Sequence, residues 1–189
     1  SIYTEVYDAS MVGVPSPATM GQRASATTLN GDTYISYNDS TLASASIIYH
    51  YDNTGTLVNT ITLTFGGAAS VRCNNMDYSE FDGKIYFISH STALTNPLSV
   101  YVLDPSTDTY TKLTGISAVL IGFPQVYANP LNGHLMFPNN VGSTQIGNPA
   151  TDTMINTGGT AILQAGLPIV NRSTGEVWIM RNNQNTHNI

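Results

Sequence analysis

The sequence predicts an all-β protein, a four-bladed β-propeller in which each blade is a four-stranded antiparallel sheet. Three observations predict it: a turn-and-strand motif recurs four times, a second motif follows the first three copies, and the composition favours strands. Of the 189 residues, 41% are hydrophobic and only 10% are charged. Abundant Thr supports strands, while Asn and Ser support turns. A repeat of about 50 residues is typical of propellers and related repeat architectures.

The first motif is a glycine turn followed by an apolar strand. Its copies read LNGDTYI, FDGKIYF, LNGHLMF and STGEVWI, and their glycines lie 52, 50 and 42 residues apart. Asn-Gly or Asp-Gly between apolar runs predicts a tight hairpin turn. Successive strand residues point to opposite faces, so the two apolar columns after the glycine predict a sheet packed on both faces. These columns are Tyr34, Tyr86, Met136 and Trp178, and Ile35, Phe87, Phe137 and Ile179.

The second motif is an apolar strand that runs into an Asp or Asn turn. Its copies are IIYHYDNTG at 47–55, VYVLDPSTDTY at 100–110 and QIGNPATDTM at 145–154. The last two share Thr-Asp-Thr, at 107–109 and 151–153. Asp side chains in turns commonly accept hydrogen bonds from nearby backbone N–H groups. We therefore expect these aspartates to stabilise their own turns.

The two motifs together define blades at about 24–65, 71–115 and 124–158, with a fourth formed by 168–189 plus 1–14. Residues 1–10 resemble 46–54, because Tyr-Asp closes an apolar strand in each segment. We expect a single propeller domain over 1–189, closed by its own N-terminal strands, because closure removes exposed sheet edges. The alternatives are a segment of a larger ring and a part-ring completed by other chains. Since the chain begins at Ser1 rather than Met, we expect a processed product or a fragment.

The order of elements resembles the kelch family of β-propellers. The similar segments are 17–31, with its Pro and Arg, 82–88 (DGKIYFI) and 100–110. The kelch Gly-Gly after the second strand is absent, and Tyr110 or Met154 replaces the late Trp. The resemblance implies kelch-like blade geometry and does not extend to kelch partners. In composition the chain also resembles phage tail and other virion structural proteins, and secreted bacterial surface modules.

Charge and motif content exclude several function classes. The net charge of −6, with two lysines and four arginines, argues against nucleic-acid binding, which needs a basic patch. No apolar run reaches the roughly 18 residues of a membrane span, so we expect no membrane insertion. Cys73 is the only cysteine, which excludes an intrachain disulfide. No histidine pair, phosphate loop or dinucleotide fingerprint is present, so we expect no metal and no cofactor.

Five polar residues are the predicted binding site. Arg23 and Arg72 come just before the first strand of their repeats, where connections between blades approach the axis. Arg181, His90 and Asn140 follow their repeat glycines at matching or adjacent positions. Together they predict a polar ring at one mouth of the channel, suited to an uncharged or anionic ligand. No residue is predicted to be catalytic.

These features predict a non-enzymatic structural and binding module of an extracellular or virion assembly. Its loops would be offered to a glycan, a polymer or a neighbouring protein subunit, and a homo-oligomer is compatible with this role. The alternative is a glycan-cleaving hydrolase with carboxylates on propeller loops, because a carboxylate pair about 5 to 10 Å apart cleaves glycosidic bonds.

Overall fold

The computed structural model describes residues 20–39, 45–64, 71–91, 98–118, 125–138, 145–155 and 165–181. Within these ranges the chain forms fourteen strands in four antiparallel sheets, joined by turns and with no helix. The all-β prediction is therefore confirmed. No helix among the described residues is long and apolar enough to cross a membrane.

Each sheet is a meander in which every strand pairs with its neighbour in sequence. Sheet 1 contains β1 (Met20–Thr27), β2 (Thr33–Asp39), β3 (Ala45–Tyr51) and β4 (Leu57–Thr64). Sheet 2 contains β5 (Val71–Ser79), β6 (Lys84–Ser91), β7 (Leu98–Asp104) and β8 (Thr109–Ala118). Sheet 3 contains β9 (Tyr127–Ala128), β10 (Leu135–Phe137), β11 (Gln145–Asn148) and β12 (Thr153–Ile155). Sheet 4 contains β13 (Ala165–Val170) and β14 (Val177–Arg181).

The repeat glycines form the turns of the first hairpin in each sheet, as their motif predicts. Gly31 and Gly83 have φ values of 94° and 71°, and the two later repeat glycines have 69° and 75°. This left-handed region is disfavoured for residues with a Cβ, which explains why glycine recurs there. Two aspartates also adopt it, Asp108 at 54° and Asp152 at 49°.

The sheets are arranged in a propeller-like manner. The first strands of successive sheets pack together, β1 with β5 and β5 with β9, while β8 at the end of sheet 2 packs against β11 and β12. One apolar core fills the space between sheets 1 and 2, around Tyr34, Ile48 and Phe87. A second core fills the space between sheets 2 and 3, around Ile88 and Phe137. Inner strands thus meet inner strands and outer strands meet outer strands, as in blades around an axis.

The two apolar columns of the first motif are buried in the first three sheets. Tyr34, Ile35, Tyr86, Phe87, Met136 and Phe137 are all at most 7% exposed. The prediction was wrong for Trp178, which is 62% exposed. Trp178 lies opposite Ile169, itself 56% exposed, in a sheet of only two described strands. No described sheet covers that face. The proposed closing strands at 1–14 lie outside the described residues.

Two phenylalanines test this core directly. Phe87 is fully buried between sheets 1 and 2, whereas Phe81 is 58% exposed in a turn. Phe87→Ala is expected to lower the free energy of unfolding by about 3–5 kcal/mol, because it leaves a cavity. Phe81→Ala is the matched control and is expected to cost less than about 1 kcal/mol. Urea unfolding measures both, and equal losses would contradict the packing described.

Candidate functional site

Seven hairpin turns lie at one end of the sheets, which we call the turn end. Because each sheet is an antiparallel meander, its first and third turns fall on the same side. The turns are 28–32, 52–56, 80–83, 105–108, 129–134, 149–152 and 171–176. We call the opposite end of the sheets the far end.

The turn end carries most of the acidic residues of the chain. Eight of the twelve carboxylates lie in these turns or at the adjoining strand residue: Asp32, Asp52, Glu80, Asp82, Asp104, Asp108, Asp152 and Glu176. Lys84 and Arg172 are the lysine and arginine residues there, so the formal charge of this end equals the −6 of the whole chain. The turn end is therefore acidic.

The first-hairpin turns of sheets 2, 3 and 4 contact one another. A Cβ placed on Gly133 would lie 2.7 Å from Cδ1 of Phe81, and one on Gly175 would lie 3.5 Å from Cδ1 of Leu131. Arg172 in sheet 4 donates two hydrogen bonds to Glu80 in sheet 2, one of them 2.8 Å long. Turns from sheets that are not consecutive thus meet, which indicates convergence toward a common centre.

An apolar patch marks these turns. Leu29, Phe81 and Leu131 each lie two residues before a repeat glycine, and they are 73%, 58% and 43% exposed. Ser173 holds this position in sheet 4. We call the three apolar side chains the turn-end patch. Phe81 lies beside Gly133 and Leu131 beside Gly175, so these two side chains line the contacts between neighbouring turns.

Asp152 crosses from sheet 3 to the last strand of sheet 2. Its Oδ2 accepts hydrogen bonds from the backbone N–H groups of Thr114 and Gly115, both 2.8 Å long, and from the Thr114 hydroxyl. Its Oδ1 accepts a further bond from the N–H of Ile116 at 3.1 Å. Residues 114–116 are skipped by the register between β7 and β8, so Asp152 supplies the acceptors that the sheet does not.

The approach of Asp152 depends on a glycine. A Cβ on Gly115 would lie 1.7 Å from the carbonyl oxygen of Asp152, so no other residue fits without movement of the turn. Burial acts to raise the pKa of Asp152, but the hydrogen bonds outweigh it and hold the pKa below its ordinary value. Asp152 is therefore a charged clamp between two sheets.

Asp108 occupies the equivalent turn position in sheet 2, and its side chain contacts sheet 1. Its Oδ2 accepts hydrogen bonds from His50 Nδ1 at 2.9 Å and from Asn59 Nδ2 at 3.0 Å. Its Oδ1 accepts a bond from the Tyr34 hydroxyl at 3.0 Å. Three strands of sheet 1 thus converge on one carboxylate. The expectation that Asp108 and Asp152 serve their own turns was wrong, because the left-handed backbone turns both side chains toward the preceding sheet.

Tyr34 and His50 form a buried pair behind Asp108. Their rings stack with centroids 4.3 Å apart, and His50 is 7% exposed. Burial, and then the hydrogen bond and charge of Asp108, raise the pKa of Tyr34, so its hydroxyl stays a donor at neutral pH. His50 Nε2 faces Asp32 Oδ2 at 3.8 Å. The pair is a polar contact within the first core.

Other turn carboxylates act locally, as the sequence indicates. Asp52 Oδ1 accepts bonds from the N–H groups of Thr54 and Thr56, and the hydroxyl of Thr54 donates to the same oxygen. Asp104 accepts bonds from Ser106 through one oxygen and from Lys84 Nζ, 2.5 Å away, through the other. The Lys84 hydrogen bond, followed by those from Ser106, lowers the pKa of Asp104 to about 2.

The inner strands of sheets 2 and 3 are joined by side chains that the sequence analysis did not single out. Asn75 Oδ1 accepts a bond from the N–H of Val126 at 2.6 Å, and Asp77 Oδ2 accepts one from Ala128 at 2.8 Å. Burial raises the pKa of Asp77. The signal for this pair is the alternation of Asn75 and Asp77 with the apolar side chains of Met76 and Tyr78 within β5.

The predicted binding residues fall mainly on the inner hairpins. Arg23 and Arg72 lie within β1 and β5 rather than before them, which corrects their expected position. Arg72 pairs across the ladder with His90, whereas Arg23 is the extra residue of a bulge between Gln22 and Ala24. The two arginines are therefore not at equivalent register positions.

The remaining two predicted residues lie in the last part of the chain. Arg181 ends β14, opposite Ala165. Asn140 lies outside the described residues. The polar ring stays a prediction. Among the described ranges, no three or more His, Cys, Asp or Glu side chains are grouped so that they could hold a metal ion.

Comparison with known proteins shows likeness in fold only. No family model matches the chain, and no curated protein matches it. A protein of unknown function from Bacteroides caccae is similar in structure, with a TM-score of 0.54 and 12% identity over 84% of this chain and 56% of that one. An ACO/RPE65 chimera is similar with a TM-score of 0.48 and 14% identity over 85% of this chain and 49% of that one. Cobalt-substituted Synechocystis ACO has a TM-score of 0.36 and 14% identity over 90% of this chain and 58% of that one. The chain thus spans about half the length of these structures.

Asparagine substitutions test the clamp at Asp152. Asp152→Asn tolerates the left-handed backbone but replaces one acceptor oxygen with an N–H₂ group that faces N–H donors. We expect it to lower the free energy of unfolding by about 1–2 kcal/mol. Asp52→Asn is the matched control, because the hydrogen bonds that Asp52 accepts from Thr54 and Thr56 fall on one oxygen, which the amide retains. Urea unfolding at pH 7 should show a clearly smaller loss for the control.

The pH dependence of folding stability tests whether the charge of Asp152 is stabilising. Because folding lowers the pKa of Asp152, its stabilisation is present above the unfolded value of 3.8 and disappears as the pH falls through the folded pKa. The stability difference between the wild type and Asp152→Asn should therefore shrink below about pH 4. A difference that stays constant down to pH 2 would contradict the charged clamp.

Proposed function

We propose that the chain is a non-enzymatic structural and binding module of an extracellular or virion assembly. It presents its turns and the mouth of its propeller-like ring to a glycan or to a neighbouring protein subunit. The observation that carries this proposal is the use of the turn-end carboxylates. Asp108 and Asp152 connect sheets, Asp52 and Asp104 bind their own turns, and Glu80 binds Arg172.

Such engaged carboxylates are poorly suited to acid–base chemistry. A general acid needs a pKa raised toward the working pH, but the pKa of Glu80 is lowered, first by its hydrogen bond to Arg172. The turn end instead offers the exposed turn-end patch beside many polar groups. Rigid sheets with exposed turns support recognition, and the low charge content outside the turn end suits contact with polar surfaces.

A glycan panel tests this proposal. Neutral and anionic polysaccharides are incubated with the chain, and retention by affinity electrophoresis is measured beside the release of reducing ends. We expect no release of reducing ends, because Asp108, Asp152 and Glu80 are already engaged in hydrogen bonds between sheets. We also expect either retention by a glycan or association between copies of the chain. Release that Glu80→Gln or Glu176→Gln abolishes, or absence of both kinds of binding, would contradict the proposal.

We also propose that residues 1–14 complete sheet 4 and close a four-bladed ring. The support is the similarity of 1–10 to 46–54 and the contact between the turns of sheets 2 and 4 through Arg172 and Glu80. In sheet 1, Thr33 pairs with Tyr51 across β2 and β3. The equivalent pair in sheet 4 is Val177 with Tyr7.

A disulfide tests this register. Tyr7→Cys/Val177→Cys should form an intramolecular disulfide on mild oxidation, because directly opposed strand residues are close enough. Thr4→Cys/Val177→Cys is out of register by three residues and should not. Native Cys73 is buried, and burial raises the pKa of its thiol to about 12, so it stays unreactive. Mass spectrometry without reduction distinguishes the results, and a disulfide-linked dimer or no disulfide would contradict closure within one chain.

A further inference from the structure

We infer that Asn171 is a modification site, the acceptor of an N-linked glycan in the turn between β13 and β14. The inference rests on the proposed function for one point only, the extracellular location, because N-linked glycans mark surface positions of secreted chains. The proposed function names a glycan as a ligand, whereas this site would carry one covalently.

Two Asn-x-Ser triplets occur in the chain, and the fold places them differently. They are Asn38-Asp39-Ser40 and Asn171-Arg172-Ser173. Such a triplet, without proline at its centre, is the recognition sequence for N-glycosylation and is typical of surface loops. Asn38 lies in β2 and pairs with Gly21 on one side and Ser46 on the other, and Ser40 lies outside the described residues. An interior strand can reach a transferase only if its sheet opens, so the first triplet is poorly placed.

The second triplet lies in an exposed hairpin turn. Asn171, Arg172 and Ser173 are all exposed and follow directly after β13. The turn is closed by two backbone hydrogen bonds of 2.8 Å, from the N–H of Asn171 to the carbonyl of Glu176 and from the N–H of Gly175 to the carbonyl of Asn171. Because both bonds lie within residues 171–176, the turn can form early and without the other sheets. The triplet is therefore presented in a locally determined geometry while the chain is still folding.

The two ends of the Asn171 side-chain amide are used differently. Its Oδ1 accepts hydrogen bonds from the Ser173 hydroxyl at 2.7 Å, from the Ser173 N–H at 3.0 Å and from the Thr174 N–H at 3.4 Å. Its Nδ2, which has two protons to donate, makes no hydrogen bond within the described part of the chain. The hydroxyl that the recognition sequence requires thus already contacts the amide that would react. Donors at Oδ1 also withdraw electron density from the amide, so an Nδ2 proton is removed more easily.

The reaction exchanges one Nδ2 proton for a sugar. The sugar donor is an oligosaccharide joined to a lipid through a pyrophosphate. The bond between its anomeric carbon and the pyrophosphate oxygen breaks, the lipid pyrophosphate leaves with the electron pair, and Nδ2 forms a bond to the anomeric carbon. A base of the transferase takes the displaced proton. The product retains Oδ1 and one N–H, so all three hydrogen bonds of the Asn171 side chain are kept.

The contacts that hold this turn leave Asn171 accessible. Arg172 donates two hydrogen bonds to Glu80 in the turn of sheet 2. On the sheet 3 side, Leu131 Cδ1 lies 3.5 Å from a Cβ placed on Gly175. The turn is thus fixed through Arg172 and Gly175, while Asn171 stays exposed. A sugar on Asn171 would project into solvent at the turn end without displacing either neighbour.

Secretion of the full chain tests the site. The chain is joined to a cleavable secretion signal, expressed in cultured eukaryotic cells and compared by gel mobility before and after treatment with peptide N-glycosidase. We expect the wild type to be secreted as a monodisperse protein that loses one glycan on treatment. The glycosidase converts a glycosylated asparagine to aspartate, so peptide mass spectrometry should find this conversion at Asn171 and not at Asn38.

Four variants assign the glycan to the triplet. Ser173→Ala removes a single hydroxyl and leaves Asn171 in place, and we expect it to abolish the glycan. Ser173→Thr restores the hydroxyl and should restore the glycan. Asn171→Gln should abolish it, whereas Asn38→Gln is the matched control and should be glycosylated like the wild type. If Asn171→Gln is not secreted, the comparison of Ser173→Ala with Ser173→Thr decides the assignment.

Several results would overturn the inference. They are a secreted wild type without a glycan, a glycan on Asn38, and a glycan that remains in Ser173→Ala. A glycosylated wild type that stays in the cell as an aggregate would also overturn it, because the fold is inferred to tolerate the sugar.

This test is separate from that of the proposed function. Retention by added glycans and association between copies are measured with chain made in a host that adds no N-linked sugar. Failure of both would contradict the proposed function and leave the assignment of Asn171 unchanged. Absence of a sugar on Asn171 would overturn the assignment and leave the binding results unchanged.

Discussion

The structure depends on a carboxylate that crosses from one sheet to the one before it. In sheets 2 and 3 the turn between the outer strands holds an aspartate in the left-handed region, at 54° for Asp108 and 49° for Asp152. That backbone directs the side chain away from its own turn, and the carboxylate then accepts hydrogen bonds from donors in the preceding sheet. Charged acceptors form stronger hydrogen bonds than neutral ones, so each clamp fixes a sheet-to-sheet distance that apolar packing alone would leave adjustable.

The clamps explain other features of the chain. In β8 a local break in register at residues 114–116 frees the backbone donors that Asp152 binds. In sheet 1 the donors to Asp108 are the side chains of Tyr34, His50 and Asn59. Gly115 is required because the turn of Asp152 lies against it. Three of the eight turn-end carboxylates thus join sheets: Asp108, Asp152 and, through Arg172, Glu80. Part of the charge of the turn end is therefore a consequence of how the sheets are joined.

Local motifs were predictable from the sequence, whereas contacts between sheets were not. The turn at Gly83 was predictable because glycine adopts the left-handed backbone most readily, and the burial of Phe87 was predictable from strand alternation. The roles of Asp108 and Asp152 could not be predicted, because their reach depends on how the preceding sheet is placed. Arg23 and Arg72 lie at different distances before their repeat glycines, and each first strand has a bulge, at Arg23 in β1 and at Asn74 in β5, so the two arginines are not equivalent in register. Trp178 has the spacing of a core residue, but its burial needs a neighbouring sheet that spacing cannot supply.

Hydrogen exchange at Thr114, Gly115 and Ile116 tests the clamp most directly. Their backbone N–H groups have no partner in the register between β7 and β8 and donate to Asp152. In the wild type, NMR should show that these three amides exchange about as slowly as those of the flanking strand. In Asp152→Asn, either the Ile116 amide or the Thr114 and Gly115 pair should exchange fast. Exchange of all three at the rates of an open chain in the wild type, beside a protected strand, would contradict the clamp.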